Sequence, residues 1–591
     1  MTVVEKITAL RKQMVSNQLD AWIVPGADPH QSEYVPSHWK AREWISGFTG
    51  SAGTIVVTKE SAGLWTDSRY FLQAESELKG SSIKLFKAGL PNVPSIEKWL
   101  VQELAEKSSI GFDATLLSIS QVKSINNECA SKKINLVTDR DLVNQIWDNR
   151  PEISKTKINL HSVELSGESR VDKLKRIRIK MKQGGVHQLV LSTLDDIAWT
   201  FNIRGKDIRH CPVVISFAII NDKEAKLFIP SEKINSDIKQ ELQTDGLTLF
   251  EYLDFYDHLA QFSHHETILF DASKTNQKII DSIPKECNTI QTSNIVFPLK
   301  AIKNKTQLKG FRKAHLLDGA AMVKWLYWLD SKADLDVHSE STVADKLNEI
   351  RLDAEECLDL SFPPIVGYQA NGAIIHYTPN PETASPLKKE GILLIDSGGQ
   401  YPFGTTDITR TIALGSPTAE QIRWNTIVLK GHINLAMAVF PENTPGAQLD
   451  AIARYPIWAE KLNYGHGTGH GVGHFLNVHE GPQSVSPKGK VGLRSGMIIS
   501  NEPGLYIDGS VGFRIESMVA VVELEKNDFG NFCSLEMLTL CPYDAKLIDA
   551  ALLTKKEQTW LNEYHQMVFK KLEFLLTNDE KIWLQDKTKP I

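Results

Sequence analysis

The chain has 591 residues, of which 42% are hydrophobic and 23% are charged, and its formal net charge is −6. At roughly 150 residues per domain, this length predicts about four domains and excludes a single hydrophobic core, and the composition excludes a largely disordered, collagen-like or coiled-coil protein. The small negative charge gives no general attraction for nucleic acid or for an anionic membrane, so neither is an expected partner.

The amino-terminal segment carries charged residues among apolar ones at helical spacing, from Val3 to Met14, which differs from the continuous apolar core of a signal peptide. No window approaches the roughly 18 to 20 uninterrupted apolar residues that a membrane span needs. The six cysteines are widely separated and form no CxxC pair, which favours a reducing compartment over a disulfide framework or a thiolate zinc site. We therefore expect a soluble, cytoplasmic protein.

Two similar modules are predicted in the first half of the chain. The sequence Trp44-Ile-Ser-Gly-Phe-Thr-Gly50 returns 155 residues later as Trp199-Thr-Phe-Asn-Ile-Arg-Gly205. Strand-like runs precede and follow each copy, at residues 19–24, 53–57, 188–192 and 213–220. Strands mixed with helical stretches predict two α/β modules, at about 1–153 and 154–300, unless the repeat arose by chance.

A third module, 301–591, begins with a long helical segment near Ile302. Short strands with frequent glycines follow between residues 360 and 525. The sequence Thr554-Lys-Lys-Glu557 is a capping box that introduces an amphipathic helix, whose apolar spacing is typical of a packing face. We expect this module to end in a helical extension at about 534–591.

Two aspartates lie on either side of a predicted hairpin turn. Asp396 ends the apolar strand 392–395, and Asp407 follows 11 residues later, with Tyr401-Pro402-Phe403-Gly404 between them. Since the aspartates are symmetric about Tyr401-Pro402, we expect them to face each other, with Cβ atoms roughly 4.5–5.5 Å apart. Two such carboxylates repel unless one is protonated or a cation lies between them. Taken alone, the pair is better explained by aspartates that cap turns.

A second carboxylate pair shifts the balance toward a shared cation. Glu502 and Glu516 are symmetric about the centre of Asp508-Gly509-Ser510, which is a strong hairpin-turn signal. On the returning strand, Arg514 and Glu516 share one face, because alternate residues of a strand point the same way.

A glycine-rich segment, residues 465–474, separates the two hairpins. Glycine occupies every odd position, and the even positions carry His466, Thr468, His470, Val472 and His474. Five glycines would each cost about 1 kcal/mol in a helix interior, so an extended segment is predicted. Its histidines would then share one face, and its bare glycine face would allow a close approach of backbone. The alternative is a flexible loop with exposed histidines.

Four carboxylates and one histidine are the candidate metal ligands: Asp396, Asp407, His470, Glu502 and Glu516. This oxygen-rich set suits Mn²⁺ or a similar divalent ion better than a thiolate-type zinc site. Bridging carboxylates can hold two metal ions about 3.5–4 Å apart, which activate a water and polarise a carbonyl together. Two metal ions are therefore the expected number.

Two further histidines, His376 and His479, are weak signals individually, since single histidines are more often structural than catalytic. A purely structural cation site would use the same carboxylates and would leave both histidines unexplained.

The order of the five candidate ligands resembles that of the pita-bread metallopeptidases, which include methionine aminopeptidase, prolidase and aminopeptidase P. Finer strings along the whole chain resemble the long, three-domain cytosolic form of aminopeptidase P: Asn371-Gly-Ala-Ile-Ile-His-Tyr377, Thr405-Thr-Asp-Ile-Thr-Arg-Thr411, the glycine-rich segment followed by Asn477-Val-His-Glu-Gly-Pro482, Glu502-Pro-Gly504, and Gly50-Ser-Ala-Gly53. The resemblance implies a fold of α/β and α+β type, with two similar creatinase-like α/β domains followed by a pita-bread catalytic domain.

The resemblance also implies a reaction, the removal of the first residue from peptides whose second residue is proline. It assigns Asp396 to one divalent ion, Asp407 and Glu516 to both ions, and His470 with Glu502 to the other. Mn²⁺ is the expected metal, with Zn²⁺ and Co²⁺ as alternatives. A hydroxide between the metals would attack the Xaa-Pro carbonyl, and Glu502 would shuttle the proton to the proline nitrogen.

Further roles follow from the same resemblance. His376 and His479 would hold the substrate and the developing oxyanion. His466 matches a pocket residue that we place with the catalytic group, and Tyr506 and Arg514 match substrate or supporting contacts.

In the first module, Arg69 matches an arginine that reaches the substrate. The family further suggests a cytoplasmic homodimer whose partners are peptide substrates. Two positions depart from the family pattern: His474 stands where a small residue is expected, and Leu505 where an aromatic one is expected. Neither is a predicted ligand, so both bear on subsite preference.

Two rival functions remain open at this point. A prolidase acting on Xaa-Pro dipeptides would share the metal set, but the three-module length and the glycine-histidine segment favour aminopeptidase P. A non-catalytic peptide-binding protein on the same fold would be expected to lack ligands, and all five are present.

Overall fold

The computed structural model describes residues 1–331, 333–354 and 356–591. The chain divides into two compact units, one of residues 1–160 with 168–296 and the other of residues 161–167 with 297–591. The predicted module boundaries at 153 and 300 remain predictions.

Two mixed α/β modules make up the first unit. The elements up to residue 153 are α1 (Val3–Ser16), β1 (Ala21–Pro25), α2 (Ala41–Ser46), β2 (Thr54–Thr58), β3 (Ala62–Thr66), α3 (Phe71–Glu77), β4 (Lys84–Lys87), α4 (Ile96–Glu103), β5 (Ser109–Gly111), α5 (Ile119–Cys129) and β6 (Asn135–Val137). The next elements are β7 (Asn159–Leu160), α6 (Val163–Ser166, in the second unit), α7 (Arg170–Gln183), β8 (Gln188–Leu191), α8 (Leu194–Phe201), β9 (Ile203–Arg204), β10 (Phe217–Ile220), β11 (Ala225–Phe228), α9 (Ser236–Thr244), β12 (Leu247–Phe250), α10 (Phe255–Leu259), β13 (Thr267–Phe270), α11 (Gln277–Ser282) and β14 (Asn288–Gln291). Of the strand predicted at 213–220, only the second half is a strand.

The two large sheets of this unit share one connectivity. Their strand orders are β4-β3-β2-β1-β5-β6 and β12-β11-β10-β8-β13-β14. In each sheet the first strand, β1 or β8, pairs antiparallel with one neighbour and parallel with the other. Trp44 and Trp199 of the repeated sequence lie in α2 and α8, the helices that follow these two strands. The sequence repeat therefore coincides with a structural duplication.

Strand β1 shows how its sheet is covered. All five of its residues are buried. Trp22 and Val24 pack with residues of α1, whereas Ala21 and Ile23 pack with residues of α4 and α5. Because alternate strand residues face opposite sides, this continuous apolar run requires helices on both faces of the sheet.

The second unit contains the third predicted module. After α12 (Val296–Ala301), which spans the division between the units, its elements are α13 (Lys305–Ser331), α14 (Glu340–Leu352), β15 (Asp359–Leu360), β16 (Ile365–Tyr368), β17 (Ile392–Ser397), β18 (Gly399–Tyr401), β19 (Gly404–Thr405), β20 (Ile408–Ala413), α15 (Ala419–Ala436), β21 (Phe440–Pro441), α16 (Gly446–Ala459), β22 (Gly469–Gly471), β23 (Glu480–Val485), β24 (Ile498–Asn501), β25 (Gly504–Ile507), β26 (Val511–Arg514), β27 (Ser517–Asn527), β28 (Gly530–Met537), α17 (Lys555–Leu572) and α18 (Asn578–Lys587).

The sheets of this unit carry the candidate ligands. Strand orders are β16-β17-β20 in one sheet and β21-β28-β27-β24-β22-β23 in another, and β25 and β26 form a hairpin. Asp396 lies on β17, Asp407 directly precedes β20, and His470 lies on β22. Glu502 follows β24, and Glu516 directly precedes β27. The strand ends thus bring ligands from distant parts of the sequence to one place.

The carboxyl-terminal helices begin as the sequence predicts. Thr554 caps α17, and Glu557 completes the reciprocal capping box. Tyr564 and Val568 of α17 are buried in a core cluster with residues of α15, which confirms a packing face. The predicted bounds of the helical extension, about 534–591, remain a prediction; β28 continues to Met537 and pairs with β27, and α17 begins at Lys555. Among the described residues, no helix is both long and apolar enough to cross a membrane.

Candidate active site

The first predicted hairpin forms, but its register differs from the expected one. The chain turns at Pro402-Phe403, so Asp396 lies opposite Thr409. The prediction that Asp396 and Asp407 are direct cross-strand partners is wrong, because the centre of the turn lies one residue later than expected. Asp407 is two positions before the residue that faces Asp396, and the two carboxylates still interact electrostatically.

The second predicted hairpin has the expected register. Tyr506 pairs with Gly512 in the hairpin, and Asn501 pairs with Ser517 beyond it. Both pairings keep the same centre at Gly509, so Glu502 and Glu516 occupy opposite positions between the two paired segments. The tight Asp508-Gly509-Ser510 turn, where Gly509 has φ +67°, sets this register.

Only part of the glycine-rich segment is a strand. Residues 469–471 form β22, and its register shifts between His470 and Gly471. His470 faces the carboxylates, whereas Val472 and His474 pack against Phe311. The prediction that the histidines share one face is confirmed for His466 and His470, which both lie near Glu502, and is wrong for His474, because the irregularity after His470 interrupts the alternation.

His470 is directed at the carboxylates by its backbone contact. Its Nδ1 lies 2.9 Å from the carbonyl oxygen of Gly471, which places the proton on Nδ1 and leaves Nε2 as a ligand atom. Nε2 lies 3.4 Å from Oδ2 of Asp407 and 3.9 Å from carboxylate oxygens of both Glu502 and Glu516. One ligand atom from each of Asp407, His470 and Glu516 fits within a mutual distance of 4.8 Å.

The carboxyl groups of the four candidate ligands lie close together in a buried site and repel one another. Burial, followed by the charges of neighbouring carboxylates, raises the pKa of Asp407 and that of Glu516 well above the usual range. Burial also raises the pKa of Glu502, against the opposing effects of His470 and Arg514. Four carboxylates that are ionised together in this environment need a cation to offset the repulsion.

Two oxygen atoms support a metal site independently of the charges. Oδ1 of Asp396 and Oδ1 of Asp407 are buried and form no hydrogen bond with any residue that the structure describes. Buried oxygens without a donor are costly, and a divalent cation would satisfy both. The residues present therefore fit a group of divalent metal ions.

A chain of hydrogen bonds leads from Asp396 to His466. Arg514 donates from Nη2 to Oδ2 of Asp396 and from Nη1 to the hydroxyl of Tyr506, each over 2.7 Å. The Tyr506 hydroxyl lies 2.8 Å from Nε2 of His466, and Nδ1 of His466 lies 3.9 Å from Glu502. Burial raises the pKa of Tyr506 to about 12. The phenol is therefore neutral and able to donate to His466.

The two predicted substrate histidines lie in loops. His479 lies directly before β23. Its ring packs edge-on against that of His470, with centroids 4.4 Å apart. His376 is half-buried in a turn after the short 3₁₀ helix 369–373.

Gly512 of β26 has no room for a side chain, because a Cβ there would lie 1.8 Å from the carbonyl oxygen of Gly372. The loop with His376 thus packs on the hairpin that carries Arg514. The roles of both histidines remain predictions.

Arg69 lies in the first unit. It forms a bidentate ion pair with Asp67, with both nitrogen-oxygen distances 2.8 Å. It also lines a cavity of about 290 Å³ together with Glu33 and Ser51. Its substrate role remains a prediction.

The sequence did not predict two residues that form hydrogen bonds with candidate metal ligands. Thr409 donates to Oε2 of Glu516 over 2.8 Å, and the hydroxyl of Ser500 accepts from the backbone N–H of His470 over 2.9 Å. Thr409 shares a strand face with the position of Asp407, two residues earlier, so strand alternation was an available signal. Ser500 offered none, because its contact spans 30 positions of the sequence.

The two departures from the family pattern both lie in packed regions. Leu505 belongs to a core cluster and pairs with Phe513 across the hairpin. His474 is buried between Phe311 and His161, with ring centroids 5.7 and 5.6 Å away.

Comparisons with known proteins cover nearly the whole chain. The family model for metallopeptidase family M24 matches residues 309–523, and that for the C-terminal region of this peptidase matches residues 531–591. Two models of the creatinase/prolidase N-terminal domain match residues 6–146 and 149–307.

Several known proteins are similar to this chain over almost its whole length. A probable Xaa-Pro aminopeptidase P of Laccaria bicolor is 40% identical over 99% of this chain and 93% of its own. Aminopeptidase P2 of Arabidopsis thaliana is 40% identical over 99% of this chain and 88% of its own. The crystal structure of an X-prolyl aminopeptidase from Caenorhabditis elegans, described as a cytosolic enzyme with a di-nuclear active site, superposes with a TM-score of 0.96 and 34% identity over 100% of both chains.

Proposed function

The chain belongs to metallopeptidase family M24, and we propose that this metallopeptidase releases the first residue from peptides in which proline is second. The observation that carries the proposal is the convergence of four carboxylates and one histidine in a chain similar along its whole length to Xaa-Pro aminopeptidases. A binding protein on the same fold would have no need for this costly group of buried charges.

Two divalent metal ions fit the donor set. We assign Asp396 to one ion, Asp407 and Glu516 to both, and His470 with Glu502 to the other. The oxygen-rich set favours Mn²⁺ over Zn²⁺ or Co²⁺. When bound, such ions activate a water and polarise the scissile carbonyl.

Glu502 is the proposed proton shuttle. Its carboxyl group is buried, and burial raises its pKa, which makes it a better proton acceptor. In this proposal, Glu502 accepts a proton from the attacking water and passes it to the nitrogen of proline as the bond breaks. A tertiary amide nitrogen needs this proton to leave.

The surrounding residues hold the ligands in place. Thr409 and Arg514 fix one oxygen each of Glu516 and Asp396, which leaves the other carboxylate oxygens for metal ions. We assign His376 and His479 to binding the substrate and the developing oxyanion, and Arg69 to substrate contact. His466 and Tyr506 complete the pocket beside Glu502.

We propose that the protein is a cytoplasmic enzyme, because the similar Caenorhabditis elegans protein is described as cytosolic. We also propose that it acts on peptides as a homodimer, as the resemblance of the sequence implies. Light scattering across a dilution series tests the dimer, and manganese content after purification without added metal tests the metal.

Substrate length separates the proposed function from its main rival. We would assay the Mn²⁺-loaded protein on an Xaa-Pro-Pro tripeptide, an Xaa-Pro dipeptide and an Xaa-Ala-Pro tripeptide, each with and without a chelator. The expected result is chelator-sensitive cleavage of the Xaa-Pro-Pro peptide alone. Cleavage restricted to the dipeptide would indicate a prolidase, and no cleavage with Mn²⁺, Zn²⁺ or Co²⁺ would exclude a peptidase.

A further inference from the structure

A cavity of about 400 Å³ lies in the second unit, apart from the proposed metal ligands. Its walls come from the end of α13, from β20, from residues 542–546 and from α18. None of the five ligands lines it. Its volume falls within the range of about 300–1,000 Å³ that is typical of small-molecule sites.

The lining combines an apolar surface with an excess of positive charge. Leu326, Leu329, Leu335 and Ile412 provide aliphatic surface, and Trp583 provides an aromatic face. Among the residues that the structure describes, the charged ones lining the cavity are four cations and two carboxylates: Lys389, Arg410, Lys546, Lys587, Asp330 and Asp544.

Both carboxylates are already engaged. Asp330 accepts hydrogen bonds from the indole nitrogen of Trp583 and pairs with Lys587, each at 2.9 Å. Asp544 accepts the backbone N–H groups of Ala413 and Lys546. The side chains of Lys389 and Lys546 are both exposed, and among the described residues the ion pair of Lys389 is a distant one, 4.0 Å from Asp334. Their ammonium groups are therefore accessible to a ligand.

Arg410 adds a buried positive charge. Its side chain is only 2% exposed, and its hydrogen bonds all go to neutral acceptors: the carbonyl oxygens of Thr409, Glu516, Cys541 and Pro542, and the hydroxyl of Tyr564. Its five donors are thus satisfied, but its charge is not offset by a carboxylate among these partners. A buried cation in this state favours an anion nearby.

We propose that this cavity binds a small organic anion with an apolar body, such as a medium-chain carboxylate. The carboxylate group would pair with Lys546 at the mouth, and the chain would pack against Trp583 and the leucines. Arg410 also donates to the backbone carbonyl oxygen of Glu516, a proposed metal ligand, over 2.6 Å. A ligand in the cavity would therefore lie next to a residue that holds the backbone of this metal ligand. The cavity is therefore a ligand site distinct from the peptide site.

Octanoate is a suitable probe, with neutral octanamide as its matched control. We would titrate both into the full-length protein by isothermal calorimetry. The expected result is saturable binding of one octanoate per chain and binding of octanamide that is at least about tenfold weaker, since one lost charge-assisted contact is worth about that factor.

Two variants locate the site. Lys546→Glu reverses the charge at the mouth and is expected to weaken octanoate binding about tenfold or more. Ala333→Phe fills the cavity from the segment that follows α13 and is expected to abolish binding. Lys570→Glu makes the same charge change on an exposed lysine of α17 that does not line the cavity, and it is expected to have no effect.

Absence of saturable octanoate binding by the unmodified protein would overturn the proposal. So would equal binding of octanamide, or binding that Lys546→Glu and Lys570→Glu alter to the same extent. If Ala333→Phe fails to fold, as judged by circular dichroism, the octanamide and Lys546→Glu comparisons decide the outcome.

Discussion

Arg514 and Asp396 form a buried ion pair, in which Nη2 lies 2.7 Å from Oδ2. The two residues are 118 positions apart, on β26 and β17. The pair occupies one oxygen of Asp396 and orients the other, which is buried and forms no hydrogen bond with a described residue. Arg514 thereby both places a proposed metal ligand and reduces the negative charge of the site.

Replacement of Arg514 is expected to weaken the metal site. Arg514→Lys retains the charge but loses the planar fork that contacts Asp396, Tyr506 and Thr409 together. Loss of such supporting contacts typically costs 10- to 100-fold in metal affinity or activity. Titration of Mn²⁺ against a competing chelator measures the change. Tyr506→Phe, which keeps the ion pair, is the control and is expected to have a smaller effect. Equal affinities in Arg514→Lys and the unmodified protein would contradict the orienting role.

Replacement of Glu502 by glutamine is expected to leave a folded protein with little activity. The amide keeps the shape but cannot accept and release the proton. We expect a fall in kcat of at least about a hundredfold, the lower part of the range for general acid–base groups. Steady-state kinetics on the Xaa-Pro-Pro peptide measure this, with circular dichroism as the folding control. Near-normal turnover would remove Glu502 from the shuttle role.

Glu340 ties down the loop that carries His376. Its side chain is buried at the start of α14. It accepts hydrogen bonds from four groups of the segment 368–385: the backbone N–H of Tyr368 at 2.7 Å, Nδ2 of Asn371 at 3.0 Å, the hydroxyl of Tyr377 at 2.8 Å and the backbone N–H of Ser385 at 2.8 Å.

Weakening of these bonds is expected to affect substrate binding. Glu340→Gln removes the charge that strengthens them, and we expect about a tenfold fall in kcat/KM, mainly through KM, with unchanged Mn²⁺ content. Kinetics and metal analysis of the same sample separate this effect from damage to the metal centre. Tyr377→Phe removes one of the bonds and serves as a milder comparison. Unchanged KM in Glu340→Gln would exclude a positioning role for this residue.

A buried histidine is expected to make the protein sensitive to acid. Nε2 of His565 accepts the backbone N–H of Tyr543 over 3.2 Å, which requires a neutral ring. Burial, assisted by the charge of Arg410, lowers its pKa to about 4. Since the unfolded pKa is about 6.5, the unfolded chain binds the proton first as the pH falls. The stabilisation from neutral His565 is therefore complete above about pH 6.5 and is lost as the pH falls toward 4.

The corresponding experiment compares His565→Gln with the unmodified protein. Glutamine keeps an acceptor but does not titrate, so the unmodified protein should lose about 2 kcal/mol more of its unfolding free energy than the variant between pH 7.5 and pH 5. Urea unfolding at both values measures the difference. Parallel losses in the two proteins would show that His565 is not an acid-sensitive group.

Local sequence patterns were sufficient to predict features that depend on neighbouring residues. The capping box at Thr554 started α17, and the turn at Asp508-Gly509-Ser510 set the register that places Glu502 opposite Glu516. The five ligand candidates and the repeated α/β modules were also accessible, because residue type, spacing and self-similarity are properties of the sequence.

Other features depended on contacts between distant parts of the chain. The register of the first hairpin depended on the position of its turn, at Pro402-Phe403. The irregularity after His470 turned His474 away from the carboxylates that His466 and His470 approach. The contacts of Arg514 with Asp396 and of Glu340 with Tyr377 join residues far apart in the sequence. Strand alternation and turn propensity act over a few residues, whereas these contacts depend on how the sheets and helices of the second unit pack, which a local sequence pattern does not specify.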